Sequence, residues 1–420
     1  MFITALKEAI FIGIPALLLF GPVTGLILNG YEIIVDWQRP ILLTLVVMVG
    51  RFLVSLGSST EKGKHILESF SRKRSANVSV STTQTTLPPL AIAGILCVAA
   101  LLPFFLGNYW LNVLILALIY VLLGLGLNIV VGLAGLLDLG FVAFYAVGAY
   151  GFALGHEYLG LGFWTAIPFG AGLAACFGAV LGFPVLRMHG DYLAIVTLGF
   201  GEIIRLVLNN WMSFTGGPNG VSAPLPTFFG MEFTSRAKQG GVPYHEVLGP
   251  IIGIDYSRSA RYIFVYLILL IVVSLMVIFV VRLKNMPIGR AWEALREDEI
   301  ACRSLGINHV TVKLSAFSMG AMVGGIGGVF FAASQGFVNP TSFTFFESAL
   351  ILAIVVLGGL GSTIGVITAA VLLTILPELL RDFSDYRVLI FGLAMVMMMV
   401  WRPRGLLKIR RPAFKLGRSA

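Results

Sequence analysis

Charged residues are scarce in this sequence. Only 12% of its 420 residues are charged and 58% are hydrophobic, whereas soluble domains average roughly 25% and roughly 45–50%. This shortage excludes an ordinary soluble globular protein. A helix that crosses a bilayer needs about 20 apolar residues, so the composition predicts an α-helical membrane protein with many spans. The 49 glycines agree with this prediction, because membrane helices use glycine for close packing.

Cysteine and the usual catalytic patterns are also scarce. The only Gly-Lys pair, Gly63-Lys64, is followed by His65 and has Ser58 where a Walker A loop requires its first glycine. The five histidines are scattered through loops and helix ends. We therefore expect no ATP hydrolysis, no metal site and no cofactor in this chain. The three cysteines provide neither a disulfide framework nor metal-ligand spacing: Cys97, Cys176 and Cys302.

Long apolar runs predict twelve membrane-spanning helices. They lie at approximately 9–28, 40–56, 90–106, 111–133, 139–155, 163–186, 191–209, 262–282, 312–334, 346–360, 363–380 and 388–401. The runs at 139–155 and 346–360 are short enough to be re-entrant or broken helices buried within the protein instead. The predicted fold is an all-α polytopic membrane bundle of about 10–12 transmembrane helices.

The positions of lysine and arginine predict the orientation. With the N-terminus in the cytoplasm, twenty of the 29 basic residues lie on the cytoplasmic side and seven on the opposite side. Basic loops stay in the cytoplasm, so both termini are predicted to be cytoplasmic. The net charge of +9 is then an orientation signal plus a basic tail that suits anionic lipid headgroups. Nucleic acid is not an expected partner.

Composition also predicts how the chain is organised. Residues 1–56 form a two-helix membrane extension, and 57–89 form a polar cytoplasmic linker. A ten-helix core follows at 90–407, with a large outside loop at 210–261 and an internal loop at 283–311. Residues 408–420 form a basic cytoplasmic tail.

The internal loop predicts one amphipathic helix between Pro287 and Gly306. Its apolar arc consists of Ala291, Ala294, Leu295, Ala301, Cys302 and Leu305. Trp292 and Ile300 lie among the charges, where the chain itself would not bury them, so both could insert into a partner. A helix lying on the membrane surface is the alternative, although four acids make anionic lipid a poor ligand. Glu299 and Arg303 are spaced to form an i, i+4 ion pair.

Polar residues within the predicted spans are candidates for a transport pathway, because ionisable groups in a bilayer usually face a cavity or a partner. They are Asn128, Asp191, Glu202, Arg205 and Glu347. Glu202 and Arg205 could instead pair with each other, and Asn128 could join helices. Two glycine clusters predict close helix packing, within this chain or against another: Gly320, Gly324 and Gly328, and Gly358, Gly359, Gly361 and Gly365.

The internal loop carries a resemblance to a known family. Glu293-Ala294-Leu295 followed by Gly306 eleven residues later resembles the coupling loop of ABC-importer permeases. The longer sequence Gly-Arg-Ala-Trp-Glu-Ala-Leu-Arg-Glu-Asp-Glu-Ile at 289–300 resembles the larger membrane subunit of branched-chain amino acid permeases. Further matching stretches lie at 182–187, 190–203, 215–220, 353–359 and 401–407.

This resemblance implies a permease for leucine, isoleucine and valine in a bacterial inner membrane. It implies four partners: a companion permease, two cytoplasmic ABC ATPases and a periplasmic amino-acid-binding protein. The residues expected to contact an ATPase are Arg290, Trp292, Glu293, Ala294, Leu295, Glu297, Ile300 and Gly306. Two alternatives stay open: a related permease for urea, amides or other amino acids, and an ion-coupled secondary transporter.

Overall fold

A computed structural model describes most of the predicted core and little of the N-terminal extension. The described residues are 26–29, 32–35, 41, 44, 45, 48, 89–185, 191–228, 230–234, 241–246, 257, 259–379, 392 and 396. The chain forms two compact units, one of residues 1–87 and 379–390 and the other of residues 88–378 and 391–420. Most of the linker, the span at 388–401 and the tail at 408–420 lie outside the described residues.

The described part of the first unit contains a β-hairpin. Strand β1 (Leu26–Asn29) pairs antiparallel with β2 (Glu32–Val35), so that Ile27 lies opposite Ile34. The sequence places 26–28 at the end of a membrane helix, and this part of the prediction is wrong. Consecutive β-branched side chains favour a strand over a helix, which gives a physical reason for the hairpin.

The second unit is a helical bundle. Its helices are α1 (Pro89–Leu101), α2 (Asn108–Leu127), α3 (Val142–Leu159), α4 (Phe163–Val185), α5 (Asp191–Asn210), α6 (Met212–Thr215), α7 (Ser259–Asn285), α8 (Pro287–Glu297), α9 (Glu299–Ser304), α10 (His309–Gln335), α11 (Phe345–Gly358) and α12 (Thr363–Leu379). A π-helical turn, Asn128–Leu133, extends α2, and single 3₁₀ turns lie at Leu102–Phe104, Gly217–Asn219 and Pro340–Ser342.

Short strands connect some of the loops. Strands β3 (Val221–Ser222) and β7 (Phe337–Val338) pair antiparallel. Strands β4 (Thr227–Phe228), β5 (Met231–Glu232) and β6 (Val242–Pro243) form a three-stranded sheet in that order. The first of these sheets joins the large loop after α5 to the end of α10, both of which the sequence places on the outside.

Among the described residues, six helical segments are long and apolar enough to cross a membrane. They are Asn108–Leu133, Phe163–Phe183, Tyr192–Asn210, Ser259–Asn285, His309–Gln335 and Pro340–Gly358. Helix α12 is a shorter apolar helix. These segments confirm the predicted all-α polytopic membrane bundle.

Glycine contacts hold the centre of the bundle together. A Cβ added to Gly148 on α3 would lie 2.6 Å from the Cα of Gly325 on α10, closer than van der Waals radii allow. A Cβ added to Gly325 would likewise clash with the backbone of Gly170, and one added to Gly358 would clash with the backbone of Gly365. The structure therefore confirms the predicted glycine packing and places both clusters against this chain's own helices.

Helices α3 and α11 begin inside the bundle. The chain is not helical from 134 to 140, and Phe141 at the end of this segment packs between Gly126 of α2 and Gly324 of α10. The first peptide N–H of α3, at Val142, donates to the Ser348 hydroxyl in the first turn of α11, at 3.0 Å. Irregular backbone at membrane depth requires burial in protein. The short apolar runs at 139–155 and 346–360 correspond to α3 and α11. These two helices therefore meet at their N-terminal ends.

Candidate functional site

The internal loop folds as two helices rather than the single predicted helix. Helix α8 begins at Pro287, as predicted, but Asp298 is extended, with φ −155° and ψ 108°. The Asp298 carboxylate accepts hydrogen bonds from the Ile300 and Ala301 peptide N–H groups, at 2.9 and 3.0 Å, and so caps α9. Because of this break, α9 does not continue the apolar face of α8. Leu305 was predicted to lie on the same apolar arc as Leu295, yet it is 80% exposed.

Trp292 corrects a second expectation. The sequence leaves this side chain uncovered, yet it is fully buried. Its indole N–H donates to the Val312 carbonyl at 2.9 Å and to the Ser315 hydroxyl at 3.0 Å. Both acceptors lie on α10, which covers this face of α8. Trp292 therefore anchors the loop to the bundle, and Ile300, which is 77% exposed, remains available for a partner.

The other predicted coupling residues divide between surface and core. Arg290, Glu297 and Gly306 are exposed, Glu293 and Ala294 are half-buried, and Leu295 is buried. Glu293 lies 3.6 Å from the Lys284 ammonium. Arg290 and Glu297 lie two helical turns apart on the exposed side of α8, and Gly306 follows the end of α9.

An ion-pair cluster fixes α9 to the start of α10. The Glu299 carboxylate contacts the predicted partner Arg303 at 2.6 Å and also Lys313 at 2.6 Å. Burial raises the pKa of the Glu299 carboxyl, but hydrogen bonds from Lys313 and Arg303 outweigh burial and hold it below its ordinary value. Because this pKa is lowered on folding, the cluster stabilises the fold at neutral pH. That contribution is lost as pH falls through the lowered pKa.

Replacing Glu299 by glutamine should destabilise the internal loop. Lys313 is only 7% exposed, and removing one partner of a buried ion pair costs about 3–5 kcal/mol. Glu293→Gln is the matched control, because its carboxylate is more exposed and its pair is longer; an exposed pair contributes about 0–1 kcal/mol. Thermal melting of the purified complex should show a lower midpoint for Glu299→Gln than for Glu293→Gln. Equal midpoints would contradict the role of the cluster.

Arg296 connects the internal loop to the transmembrane helices. Its guanidinium donates to the Gly132 carbonyl in the π-helical turn of α2. Its side-chain stem lies so close to Gly135 that a Cβ there would be 2.7 Å from the Arg296 Cγ. Gly135 also has a φ of +73°, which favours glycine. The last turn of α8 is thereby attached to the turn that ends α2.

The same contact region includes the turn between α11 and α12. The Gly361 carbonyl accepts from the Lys284 ammonium at 3.4 Å, and the Gly361 N–H donates to the Asn128 amide oxygen at 2.9 Å. We call Asn128, Gly132, Lys284, Arg296 and Gly361 the loop junction. It joins the end of α7, α8, the end of α2 and the turn before α12. A displacement of α8 would therefore act on the end of α2 through Arg296 and, through Asn128, on the turn before α12.

The predicted polar pathway residues do not form one site. Asn128 is buried in the loop junction, and its amide nitrogen has no hydrogen-bond partner among the described residues. Glu347 accepts a hydrogen bond from the Tyr120 hydroxyl at 2.6 Å. Glu202 and Arg205 pair with each other at 2.8 Å, each about one-third exposed, which confirms their predicted pairing. Asp191 begins α5, and its side chain lies outside the described residues.

Sequence reasoning missed a buried carboxylate, that of Asp138. It lies in the non-helical segment before α3, where an aspartate between two spans is unremarkable by sequence alone. The side chain is 1% exposed, and one oxygen accepts from the Gly140 N–H at 2.9 Å. The sequence signal for it is the helix break itself, which glycines at 135 and 140 mark.

The bundle, its broken helices and its anchored internal loop define a membrane-transport subunit. Comparison with known proteins identifies the family more closely. The family model described as the branched-chain amino acid transport system / permease component matches residues 109–400, and a domain of unknown function matches residues 4–104. The chain belongs to the branched-chain amino acid transport permease family.

Relatives extend this match to almost the whole chain. The high-affinity branched-chain amino acid transport system permease protein LivM of Escherichia coli (strain K12) is 49% identical over 400 residues, which cover 94% of this chain and 92% of LivM. LivM of Salmonella typhimurium is 53% identical over 333 residues, which are 79% of this chain and 78% of that protein. A probable LivM of Methanocaldococcus jannaschii is 24% identical over 250 residues, 55% of this chain and 64% of that protein. No solved structure matches this chain significantly.

Proposed function

We propose that this chain is the permease subunit of an ATP-driven importer for leucine, isoleucine and valine. The observation that carries the proposal is 49% identity, over 94% of the chain, to a relative named for branched-chain amino acid transport. The sequence lacks a Walker A loop, so ATP hydrolysis belongs to separate subunits. The relatives do not favour a urea or amide permease or an ion-coupled transporter.

The proposal assigns a partner to each side of the membrane. Two ABC ATPases bind in the cytoplasm, one on the internal loop of this chain and one on the companion permease. A periplasmic binding protein docks outside, in part on the 210–261 loop. Both termini are cytoplasmic in a multi-pass inner-membrane protein. In support of this orientation, Lys284, Arg296 and the turns at 132 and 361 meet at one end of the bundle, and positive-inside counting places all of them in the cytoplasm.

The internal loop is the proposed ATPase contact. Ile300 and Leu305 are 77% and 80% exposed, and two large apolar side chains on an otherwise charged surface suit insertion into a partner. Trp292 and Arg296 hold the same loop to the bundle from the other side. When the ATPases close on ATP, α8 would move, and the loop junction would pass that movement to α2 and α12. Alternating access then follows from the different affinities of the partners for the two states.

Changing both exposed residues to aspartate, Ile300→Asp with Leu305→Asp, should abolish ATPase binding. Burying a large apolar side chain contributes about 1.5–3 kcal/mol, so we expect at least about a tenfold loss of ATPase recovered with the purified permease. The matched control is Ile300→Leu with Leu305→Ile, which keeps both positions apolar and should retain the ATPase. Recovery of normal ATPase by the aspartate variant would contradict the proposed contact.

A further inference from the structure

The fold of this chain only partly satisfies the buried carboxylate of Asp138. One of its oxygens accepts from the Gly140 N–H, while the other has no hydrogen-bond partner among the described residues. The side chain is 1% exposed. Burying a carboxylate that is only partly hydrogen-bonded is costly, and ionisable groups inside membrane proteins usually serve a ligand or a partner.

The surroundings place this carboxylate inside the bundle. Gly140 packs against the backbone of Thr197 and Gly201 on α5, and the next residue, Phe141, packs between α2 and α10 as described above. The Thr197 hydroxyl interacts with the Asp138 carboxylate, although it donates its best-aligned hydrogen bond to the Ala194 carbonyl at 3.0 Å; it also accepts from the Leu139 N–H at 3.0 Å. The carboxylate thus lies where a broken helix begins, a place at which transporters bind their substrates.

A small cavity adjoins Asp138. Its volume is about 10 Å³, room for about one water molecule in this conformation, and its other lining residues are Gly140, Ala143, Phe144, Leu181, Thr197, Phe200 and Phe317. Aliphatic and aromatic side chains make up most of this wall, and no lysine or arginine lines it. One carboxyl group within an apolar wall is complementary to a ligand that carries an ammonium group next to a branched hydrocarbon chain.

The cavity can enlarge because four helices share its wall. Ala143 lies on α3, Leu181 on α4, Phe200 on α5 and Phe317 on α10. Only 17% of the most apolar stretch of α5 is buried within this chain, whereas 78% of the most apolar stretch of α10 is buried. An outward shift of α5 therefore breaks few contacts within this chain and opens the cavity.

We propose that Asp138 binds the ammonium group of the transported amino acid, and that the adjoining cavity, once α5 has shifted outward and opened it, receives the hydrocarbon side chain. This inference rests on the proposed import of branched-chain amino acids and adds a binding step within the membrane. The Asp138 oxygen without a donor accepts hydrogen bonds from the ammonium group, while Phe144, Phe200 and Leu181 contact the branched chain. Selectivity is then set partly in the permease.

The test is ligand binding by the complete complex in nanodiscs without the binding protein. Three probes share one hydrocarbon skeleton: leucine, isoamylamine without the carboxylate, and 4-methylpentanoate without the ammonium. The wild type should bind leucine and isoamylamine but not 4-methylpentanoate. Asp138→Asn keeps the acceptor for Gly140 and removes the charge, so leucine and isoamylamine binding should fall at least about tenfold. Glu157→Gln, an exposed carboxylate on α3, is the control and should bind like the wild type.

Several outcomes would overturn the inference. Asp138→Asn binding the three probes like the wild type is one, and wild-type binding of 4-methylpentanoate as tight as that of isoamylamine is another. If Asp138→Asn fails to assemble with its ATPases, Phe200→Ala decides, because the widened cavity should shift preference toward phenylalanine; an unchanged preference rejects the site. A wild-type complex that takes up no branched-chain amino acid would instead contradict the proposed function, while isoamylamine binding would still test Asp138.

Discussion

Replacing Gly148 by alanine should prevent the chain from folding stably in the membrane. The added Cβ would lie 2.6 Å from the Gly325 Cα and 2.7 Å from its carbonyl carbon. Both obstructing atoms are backbone, so no side-chain rotation relieves the clash, and α3 must separate from α10. Overpacking in a core costs typically about 1–3 kcal/mol, and occasionally more. We expect the upper end of this range, measured as a large loss of monodisperse complex in detergent.

Gly172→Ala is the matched control for this prediction. Gly172 lies on α4, is exposed in this chain, and has no atom within 4 Å of an added Cβ. A Gly→Ala change there should preserve folding of the isolated subunit, since alanine favours helix more than glycine does. If Gly148→Ala and Gly172→Ala yielded equal amounts of folded protein, the close approach of α3 and α10 would not exist.

Replacing Arg296 by glutamine should uncouple ATP hydrolysis from transport. The guanidinium connects α8 to the Gly132 carbonyl, and the aliphatic stem packs against Gly135. A hydrogen bond to a charged group contributes about 1.5–3 kcal/mol. Glutamine is shorter and uncharged, so α8 would move without carrying the π-helical turn. We expect ATP hydrolysis to continue while amino acid uptake falls at least about tenfold, measured in the same proteoliposomes.

Arg303→Gln provides the comparison for Arg296→Gln. Arg303 lies in the same loop and pairs with Glu299, but its own side chain is exposed. Exposed ion pairs contribute about 0–1 kcal/mol. Uptake should remain within about twofold of wild type. Equal uptake by the two variants, or normal uptake by Arg296→Gln, would show that the loop junction does not transmit the movement.

Local spacing was sufficient to predict several features of the bundle. The start of α8 at Pro287, the Glu299–Arg303 pair and the Glu202–Arg205 pair all depend on neighbours within one or two helical turns. The glycine contacts were also predictable in kind, because repeated small residues in apolar helices indicate close packing. The spacing did not show which helix each glycine packs against. The structure shows that the partner helices belong to this chain.

Other features depend on contacts that a helical projection does not contain. The indole of Trp292 bonds to residue 312, 20 positions away, and Arg296 bonds to residue 132, 164 positions away. The projection treated the loop as one helix, so it also misplaced Leu305 once Asp298 ended α8. The burial of Asp138 was not predicted. It arises because the non-helical segment before α3 lies inside the bundle, which the sequence does not show.

Radiolabelled leucine uptake by proteoliposomes that contain the complete complex is the most direct test of the permease's function. The preparation pairs the wild-type chain with its companion permease, the two ATPases and the binding protein, and the drive is either internal ATP or an imposed sodium or proton gradient. We predict uptake that requires ATP and the binding protein and that is lost with Ile300→Asp and Leu305→Asp. Leucine uptake driven by an ion gradient without ATP would contradict the assignment.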